Sequence, residues 1–307
     1  MGIKRKANQK IIAIIGQTAS GKSSLGVYLA QNFKGEIISA DSRQVYKGMN
    51  IGTGKIKKEE MEGIPHHLID ILSPTKNFSV AQYVNLAEKK INQITKINKI
   101  PIICGGTAFY IDALVNKINI PKVSPNWQLR QKLEKETAEQ LFKELQKLDP
   151  QRAISIDKKN KRRLIRALEI IKTTNKTVPV MSYKKIYNCL YIGIYIEQEK
   201  LNKKIEERLM SRLKEGMIKE VERIHEKGVS WQRLIDFGLE YKWISLYLQG
   251  KIKYDEMVKS LLNDIKKFSK RQKTWWKKNK KINWVKDKKD AYLLVEKFLS
   301  NSKNNTI

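Results

Sequence analysis

The sequence predicts an α/β protein in which a parallel sheet, built around a phosphate-binding loop (P-loop), is flanked by helices and interrupted by a mostly helical insertion. Three observations predict this class. A β-branched apolar run leads directly into a glycine-rich loop, further short apolar runs alternate with helical periodicity, and a long polar stretch lacks strand-like runs. They assign residues 1–120 and 188–307 to a core that ends in basic helices, and residues 121–187 to the insertion.

The first predicted elements are a strand, a loop of the G-x-x-x-x-G-K-[ST] type and a helix. Ile11–Ile15 is apolar, as in a strand buried on both faces, and Ser24–Phe33 carries apolar residues at helical spacing. Such a loop directs backbone N–H groups and a helix N-terminus at one anion, and therefore predicts binding of a di- or triphosphate. The predicted phosphate-binding residues are Gly16, Gln17, Thr18, Ala19, Ser20, Gly21, Lys22 and Ser23.

Two of these side chains have particular expected roles. Lys22 supplies a mobile positive charge, and the Ser23 hydroxyl is the predicted protein ligand of Mg²⁺, the expected cofactor.

The next strands are predicted from short apolar runs. Residues 36–40 and 100–104 each precede polar or glycine-rich segments, and residues 190–196 return to the sheet after the insertion. Ligands of open parallel sheets bind outside the carboxyl ends of the strands. Lys22, Asp41 and Thr107 are therefore expected to converge on one crevice.

The predicted helices follow from capping and periodicity. Ser79 is typical of a helix N-cap, and the intervals 127–148 and 161–172 of the insertion are predicted to be helical. Apolar stripes at helical spacing over 201–224 and 257–275 predict long helices in the last third of the chain.

Composition bounds the location and the partners of the protein. The net charge of the 307 residues is +31, from 62 basic and 31 acidic side chains, which favours a polyanionic partner, although compositional drift is an alternative source of this charge. Two cysteines fit a reducing cytosol, no apolar run approaches membrane-spanning length, and nothing indicates an obligate dimer. A cytoplasmic monomer that uses no membrane is expected.

Asp41 is the residue that separates the possible chemistries. It follows the second predicted strand, close to where the loop would hold its phosphates. A carboxylate there would activate a hydroxyl nucleophile, help to hold Mg²⁺, or serve a nucleophile that attacks carbon bonded to a leaving diphosphate. Ser42, Arg43 and Gln44 suit the edge of a purine, but a solvated turn explains Arg43 and Gln44 equally well.

Several ordered motifs identify a family. The sequence blocks are GQTASGKS at 16–23, DSRQVYKGMNIGT at 41–53, PHHLID at 65–70, GGTAFY at 105–110 and KRQKTW at 270–275. They resemble the tRNA dimethylallyltransferases (tRNA isopentenyltransferases, the IPP transferase family), and the resemblance covers nearly the whole chain. It implies Mg²⁺-assisted transfer of a dimethylallyl group from its diphosphate to the 6-amino group of the tRNA adenosine 3′ of the anticodon.

The resemblance also implies roles for individual residues. Asp41 would be the general base, Thr107 would form hydrogen bonds at the reacting centre, and Arg208 would reach the diphosphate. The insertion would be a mobile clamp on the anticodon stem. The residues expected to bind tRNA are Asp41, Ser42, Arg43, Gln44, Arg130, Arg162, Arg163, Arg166, Lys270 and Arg271.

The chain departs from the family pattern at a few positions. Gln17 stands where the family usually has proline, Arg162 stands where it often has glutamine, and the glycine–tyrosine segment appears as residues 237–241. His66 and His67 belong to a family motif and are interpreted as structural.

Three other functions remain open on the residues alone. The loop by itself favours a small-molecule or nucleotide kinase, and a related enzyme would prenylate free AMP. A basic protein that uses the loop as a nucleotide-dependent switch for nucleic-acid binding would need no catalysis.

Overall fold

The structure, a computed structural model, describes residues 9–121, 123–180 and 186–300. The chain divides into two compact units, one formed by Met1–Asn116 with Lys185–Ile307 and the other by Lys117–Lys184. The second unit begins four residues before the start of the predicted insertion, 121–187, and ends three residues before the end of that insertion. The clamping role of this unit stays a prediction.

The first unit contains one parallel sheet. Its strands lie in the order β3-β2-β4-β1-β5-β6, and every neighbouring pair is parallel. The six strands of the described residues are β1 (Lys10–Ile15), β2 (Gly35–Ser39), β3 (His66–His67), β4 (Ile100–Cys104), β5 (Asn188–Ile194) and β6 (Ile282–Val285). The register places Ile12 beside Ile102 and Ile14 beside Ile192. The predicted parallel α/β class is confirmed.

Helices cover both faces of the sheet and continue beyond it. In the described part of the chain they number thirteen, besides a short 3₁₀ turn at Glu59–Met61. They are α1 (Lys22–Asn32), α2 (Val80–Lys96), α3 (Ala108–Val115), α4 (Trp127–Leu133), α5 (Ala138–Leu148), α6 (Pro150–Ser155), α7 (Lys161–Thr174), α8 (Gln198–Lys214), α9 (Met217–Glu226), α10 (Trp231–Phe237), α11 (Leu239–Leu248), α12 (Tyr254–Trp276) and α13 (Lys288–Ser300). None of the helices in these described ranges is long and apolar enough to cross a membrane.

The central strand β1 shows why its sequence is continuously apolar. Ile11, Ala13 and Ile15 join the cluster on one face of the sheet, which includes residues of α2 and α3. Ile12 and Ile14 point to the other face and join a cluster with residues of α1 and α13. Alternate side chains of a strand point to opposite faces, so a strand covered on both sides needs apolar residues at every position.

The helices α8 to α12 form a further apolar core, built partly from the predicted stripes. Leu201 and Leu209 of α8 pack with Val221 of α9 and Leu261 of α12. The stripe predicted over 201–224 is divided between two helices, because Gly216 at the start of α9 adopts the left-handed φ of +96°.

In its described residues, 117–121 and 123–180, the second unit contains helices and connecting turns but no strand. Its core joins leucines of α4, α5 and α7, among them Leu133, Leu141 and Leu164. The interval 127–148 is divided into two helices, because Thr137 forms a capping box with Gln140 that starts α5.

Candidate active site

The Gly16–Ser23 loop joins β1 to α1, and its conformation depends on glycine at the helix start. Gly21 precedes α1 with φ +92°, a left-handed conformation that other residues rarely adopt. The loop therefore turns tightly and brings the N-terminus of α1, which begins at Lys22, to the end of the central strand. The first residues of α1 leave backbone N–H groups available to an anion at this point.

Lys22 lies in the loop with its ammonium group directed back at the backbone. Its Nζ donates a hydrogen bond to the Gln17 carbonyl oxygen at 2.6 Å. The pKa of Lys22 is lowered to about 8, chiefly by burial; the charge of Arg208 acts in the same direction, and Cys104 and Asp41 act in the opposite direction. A bound anion would raise the pKa of this buried amine.

Arg208 of α8 reaches the same loop from another part of the chain. Its Nη2 donates to Thr18 Oγ1 at 2.8 Å. Burial and the neighbouring Arg212 lower the pKa of Arg208 to about 10. Lys22 and Arg208 are cations that repel each other beside a loop of backbone N–H donors. Together these groups make a site that is electrostatically complementary to a polyanion.

Asp41 and Thr107 are brought together at the ends of β2 and β4. Asp41 Oδ1 accepts hydrogen bonds from the backbone N–H of Arg43 at 2.8 Å and of Gln44 at 3.4 Å, so the carboxylate closes its own turn. Thr107 Oγ1 accepts from the Ser42 N–H at 2.9 Å, and the Thr107 N–H donates to the Ala40 oxygen at 3.0 Å.

Gly105 is required by the close approach of these two strand ends. A Cβ added at Gly105 would lie 2.3 Å from the Ala40 carbonyl oxygen. Any side chain there would separate the segment that carries Thr107 from the segment that carries Asp41. The sequence predicts that Lys22, Asp41 and Thr107 converge on one crevice. In the structure Lys22 and Asp41 line one cavity, and Asp41 and Thr107 line another.

Gln272 of α12 links the elements around the crevice. Its Oε1 accepts from the Thr18 N–H at 2.7 Å, and its Nε2 donates to the Gly106 carbonyl oxygen at 2.8 Å. One turn earlier on α12, Ser269 Oγ accepts a hydrogen bond from Gln17 Nε2 at 2.9 Å. A proline at position 17, which the family usually has, would lack this contact. Sequence reasoning assigned no role to Gln272, although the residue lies within the KRQKTW block.

Two cavities open beside these residues, with volumes of about 870 Å³ and 570 Å³. The larger contains the loop, including Lys22 and Ser23. The smaller contains Ser42, Thr107 and aromatic side chains. Both are lined by Thr18, Asp41, Thr53, Gly106, Arg208, Arg212, Phe268 and Gln272. Asp41 thus lines a phosphate-complementary cavity and a separate polar and aromatic one.

The smaller cavity has an aromatic wall. Trp275 is 38% exposed, and its Nε1 donates to Asp112 Oδ2 at 2.6 Å, which fixes the orientation of the indole. The Phe109 ring meets the indole edge-on at 6.3 Å between centroids. Lys270 and Arg271, on the same helix, are exposed. Aromatic faces beside cations are typical of sites that stack nucleobases.

Arg43 and Gln44 are held by local partners. Arg43 Nε donates to the Phe237 carbonyl oxygen at 2.9 Å, and its guanidinium lies 5.2 Å from the Phe237 ring centroid. Gln44 Nε2 donates to the Gly54 carbonyl oxygen at 3.3 Å. Neither residue is the solvated turn residue that the sequence left open. Their contact with RNA stays a prediction.

The predicted tRNA-binding arginines of the second unit separate into two pairs. Arg130 and Arg166 both form ion pairs with Glu169, whose side chain is fully buried; Arg130 Nη2 lies 2.8 Å from Glu169 Oε2. Burial raises the pKa of Glu169, but hydrogen bonds from Arg130, Arg166 and the Asn126 N–H, together with the charge of Arg130, bring it below its ordinary value. Arg162 and Arg163 are exposed on α7.

The histidine pair forms the short strand β3. His66 Nδ1 lies 2.8 Å from the Ile64 oxygen, and His67 Nε2 lies 2.7 Å from Glu36 Oε2. These contacts fit the structural interpretation of both residues.

Comparison with known proteins shows similarity over most of the chain. Residues 44–279 match the family model described as IPP transferase. A tRNA dimethylallyltransferase of Acetivibrio thermocellus is 40% identical over 302 residues, which cover 95% of this chain and 96% of that protein. The crystal structure of the full-length tRNA isopentenylpyrophosphate transferase from Bacillus halodurans is 35% identical, with a TM-score of 0.72 and 96% of both chains covered. A eukaryotic dimethylallyltransferase acting on tRNA, 23% identical with a TM-score of 0.79, shares the fold over 96% of this chain and 80% of its own.

Proposed function

Because this chain belongs to the IPP transferase family, we propose that it transfers a dimethylallyl group from dimethylallyl diphosphate to the 6-amino group of the tRNA adenosine just 3′ of the anticodon. The observation that carries the proposal is the position of Asp41, which lines both cavities. A prenyl diphosphate and an adenine can therefore approach the same carboxylate from two sides.

The larger cavity is the proposed site of the diphosphate. The N–H groups at the start of α1, the Lys22 ammonium and the Arg208 guanidinium would surround its oxygens. Because these groups are held in place before the reaction, they would stabilise the charge that grows on the leaving diphosphate. Six of the eight predicted diphosphate-binding residues line this cavity, namely Thr18, Ala19, Ser20, Gly21, Lys22 and Ser23, whereas Gly16 and Gln17 do not.

The smaller cavity is the proposed site of the adenosine. Reaching it requires the base to leave its stack, and its aromatic wall at Phe109 and Trp275 offers replacement stacking. Thr107, which also lines this cavity, is proposed to form a hydrogen bond at the reacting centre. Arg271 completes a basic and aromatic entrance on α12.

The proposed chemical step forms one bond to carbon and breaks another. The adenine 6-amino nitrogen attacks C1 of the dimethylallyl group, the C1–O bond breaks, and its electron pair leaves with the diphosphate. Asp41 accepts the proton that the nitrogen releases. The turn hydrogen bonds occupy Asp41 Oδ1, and Oδ2 is the oxygen on the Gly106 side, 3.8 Å from a Cβ built there.

Mg²⁺ is proposed as the cofactor, and the donor set fits it. Among the described residues no group of three or more His, Cys, Asp and Glu could hold a metal ion. Mg²⁺ typically takes one or two protein oxygens together with substrate phosphates and water. The Ser23 hydroxyl lines the diphosphate cavity and is the proposed protein donor. When bound, the ion would neutralise part of the diphosphate charge.

The tRNA is proposed to bind through exposed cations on both units. Lys270, Arg271, Arg162 and Arg163 are exposed, and the chain has a net charge of +31. Contacts of such side chains with phosphates position an RNA without reading its sequence. Arg130 and Arg166, engaged with Glu169, are proposed to hold α4 and α7 together beneath that surface.

Membership of the family supports tRNA prenylation over the kinase, the AMP prenyltransferase and the nucleotide switch. We further propose a monomeric, cytosolic enzyme, in keeping with the reducing environment that two cysteines in 307 residues favour. Light scattering at increasing protein concentration tests the monomer, which a concentration-dependent mass would contradict.

The activity is tested with unmodified tRNA, dimethylallyl diphosphate and Mg²⁺. We expect nucleoside mass spectrometry to find a C5H8 addition on the adenosine 3′ of the anticodon. The matched reactions replace the tRNA with AMP, or the dimethylallyl diphosphate with ATP. Comparable modification of AMP would favour the AMP prenyltransferase. Phosphorylation of a small acceptor with ATP, without tRNA product, would favour the kinase.

A further inference from the structure

One segment of backbone forms a wall of both cavities. Asn50, Ile51, Thr53 and Gly54 line the larger cavity, and Gly52 and Thr53 line the smaller one. We call residues 50–54 the wall segment. It forms no part of a helix or strand. Its own turn bonds run from the Gly54 N–H to the Ile51 oxygen and from the Lys55 N–H to the Asn50 oxygen, both at 3.0 Å, so acceptors for the N–H groups of residues 50–52 must come from elsewhere.

Glu220 of α9 supplies those bonds. Its Oε2 accepts from the backbone N–H of Asn50 at 2.9 Å and of Ile51 at 2.6 Å. Its Oε1 accepts from the Gly52 N–H at 3.0 Å and from the Tyr241 hydroxyl at 2.8 Å. Glu220 is only 5% exposed, so one buried carboxylate receives four donors.

The Glu220 carboxylate is hard to replace by another side chain. A carboxylate has acceptors only, and hydrogen bonds to a charged group are about twice as strong as neutral ones. Tyr241 is itself buried, and a Cβ added at Gly52 would lie 2.8 Å from its hydroxyl. Three successive N–H groups of the wall segment therefore meet one anion that is anchored from behind by Tyr241.

The far end of the wall segment contacts one cation of the diphosphate cavity, Arg212. A Cβ added at Gly54 would lie 1.4 Å from Arg212 Nη2, so the guanidinium packs directly on the glycine backbone. Arg212 also lies near enough to Arg208 for its charge to lower the pKa of Arg208. Displacement of the wall segment would therefore shift Arg212 and disturb Arg208.

We propose that Glu220 is a positioning residue, which holds the wall segment against Arg212 and thereby sets the affinity of the larger cavity for the prenyl diphosphate. The inference rests on the proposed function for the identity of the ligand. The hydrogen bonds that carry it do not depend on that function.

The test replaces Glu220 by glutamine in the full chain. Glutamine keeps the size of the side chain but turns one acceptor into a donor, which would then face N–H groups of the wall segment or the Tyr241 hydroxyl. We expect the KM for dimethylallyl diphosphate to rise about tenfold, because the wall segment would lose hydrogen bonds to a charged group. The dissociation constant for tRNA should stay within about twofold.

A matched control is Glu222→Gln on the same helix, since Glu222 is exposed and this change removes the same charge. It should leave both constants unchanged. Tyr241→Phe removes one donor and keeps the Glu220 carboxylate, and should raise the KM less than Glu220→Gln does. If Glu220→Gln does not fold, Glu220→Asp, which keeps the charge on a shorter side chain, is measured in the same way.

Hydrogen exchange provides a readout that does not require activity. In Glu220→Gln the amides of residues 50–52 should exchange faster, while the amides of β1 should exchange as in the wild type. Unchanged exchange at 50–52, or an unchanged KM in the folded variant, would overturn the proposal. Absence of any product from the wild-type chain would instead overturn the proposed function, and calorimetric binding of inorganic diphosphate would then replace the KM.

Discussion

At the scale of single residues, the two oxygens of Asp41 have different roles in the site, one in the turn and one in the proposed proton transfer. Oδ1 accepts the N–H groups of Arg43 and Gln44 and so maintains the turn after β2. Removing the Asp41 side chain would therefore remove the proton acceptor and the hydrogen bonds of the turn together. A useful substitution must therefore separate the two roles.

Asp41→Asn makes that separation. The asparagine Oδ1 can accept the same two turn bonds, but the amide cannot take a proton from the adenine nitrogen. We expect kcat to fall by roughly 10²–10⁴-fold, the usual contribution of a general base. The affinity for tRNA should be unchanged. Single-turnover rates and tRNA binding by filter retention check this.

Asp41→Ala provides the comparison, because it also removes the turn bonds and should weaken tRNA binding as well. If Asp41→Asn lowered tRNA affinity as much as it lowered kcat, the residue would act in binding and not as the base.

The sequence indicates the site residues that follow strand ends, but not those that act through contacts between distant helices and loops. Asp41, Thr107 and Lys22 each follow a strand end, so their convergence could be predicted from the rule for parallel sheets. Gln272 and Glu220 are separated by well over 100 residues from the backbone groups they bind. Nothing in their local sequence indicates those partners, because they result from the packing of distant helices.

At the scale of elements, α12 contributes both to the crevice and to its basic surroundings. Gln272 joins the Thr18 N–H to the Gly106 oxygen, while Lys270, two residues earlier, is exposed. The helix therefore has one face for the reaction site and another for solvent and RNA.

Two substitutions on α12 should separate these faces. Gln272→Glu keeps an acceptor for Thr18 but places a carboxylate oxygen against the Gly106 carbonyl oxygen and adds negative charge beside the diphosphate. We expect the KM for dimethylallyl diphosphate to rise about tenfold, in line with the loss of one hydrogen bond and new repulsion. Lys270→Gln should weaken tRNA binding and leave this KM unchanged. Steady-state kinetics with each substrate varied would show whether the two variants instead have the same effect.

The strands show which elements a sequence can predict. β1, β2, β4 and β5 each contain a short apolar run that the sequence shows, although β5 spans 188–194 and not the predicted 190–196. β6 was missed because two of its four residues, Asn283 and Trp284, are exposed within a lysine-rich segment. β3 has two residues, too few for any period to be visible.

The short strand β3 is held beside β2 by a buried carboxylate. Glu36 accepts hydrogen bonds from Lys99 Nζ and His67 Nε2, both at 2.7 Å. Burial raises the pKa of Glu36, but these two partners lower it by more, so it lies below the ordinary value of 4.5. A carboxyl whose pKa is lower in the folded state stabilises the protein above its unfolded pKa, and this contribution is lost as the pH falls through the folded pKa.

Glu36→Gln should therefore lower the free energy of unfolding by about 1–3 kcal/mol at pH 7. The difference from the wild type should persist down to about pH 4.5, the unfolded value, and shrink below it. Urea unfolding at several pH values measures it. A difference that is independent of pH would mean that packing, and not the charge of Glu36, accounts for the loss.

At the scale of the whole molecule, the question is whether the net charge of +31 acts at a defined surface or diffusely. The residues from Lys266 to Lys289 include twelve lysines and arginines and one acid, Asp287. Each phosphate that a protein neutralises releases counterions, which makes the logarithm of the binding constant fall with the logarithm of the salt concentration. The slope of this dependence measures how many phosphates the protein contacts, whereas the net charge does not.

Neutralising single cations should therefore distinguish a binding surface from compositional drift. We expect Lys270→Gln and Arg271→Gln each to reduce the salt slope for tRNA by about 0.7–0.9, the value for one phosphate contact. Arg163→Gln tests the second unit in the same way. Lys227→Gln is the control, since Lys227 is exposed at the end of α9 and carries the same charge without a predicted contact. Equal slopes for Lys227→Gln and Lys270→Gln would show that the charge acts as a diffuse field, because a defined phosphate contact changes the slope only where that contact is made.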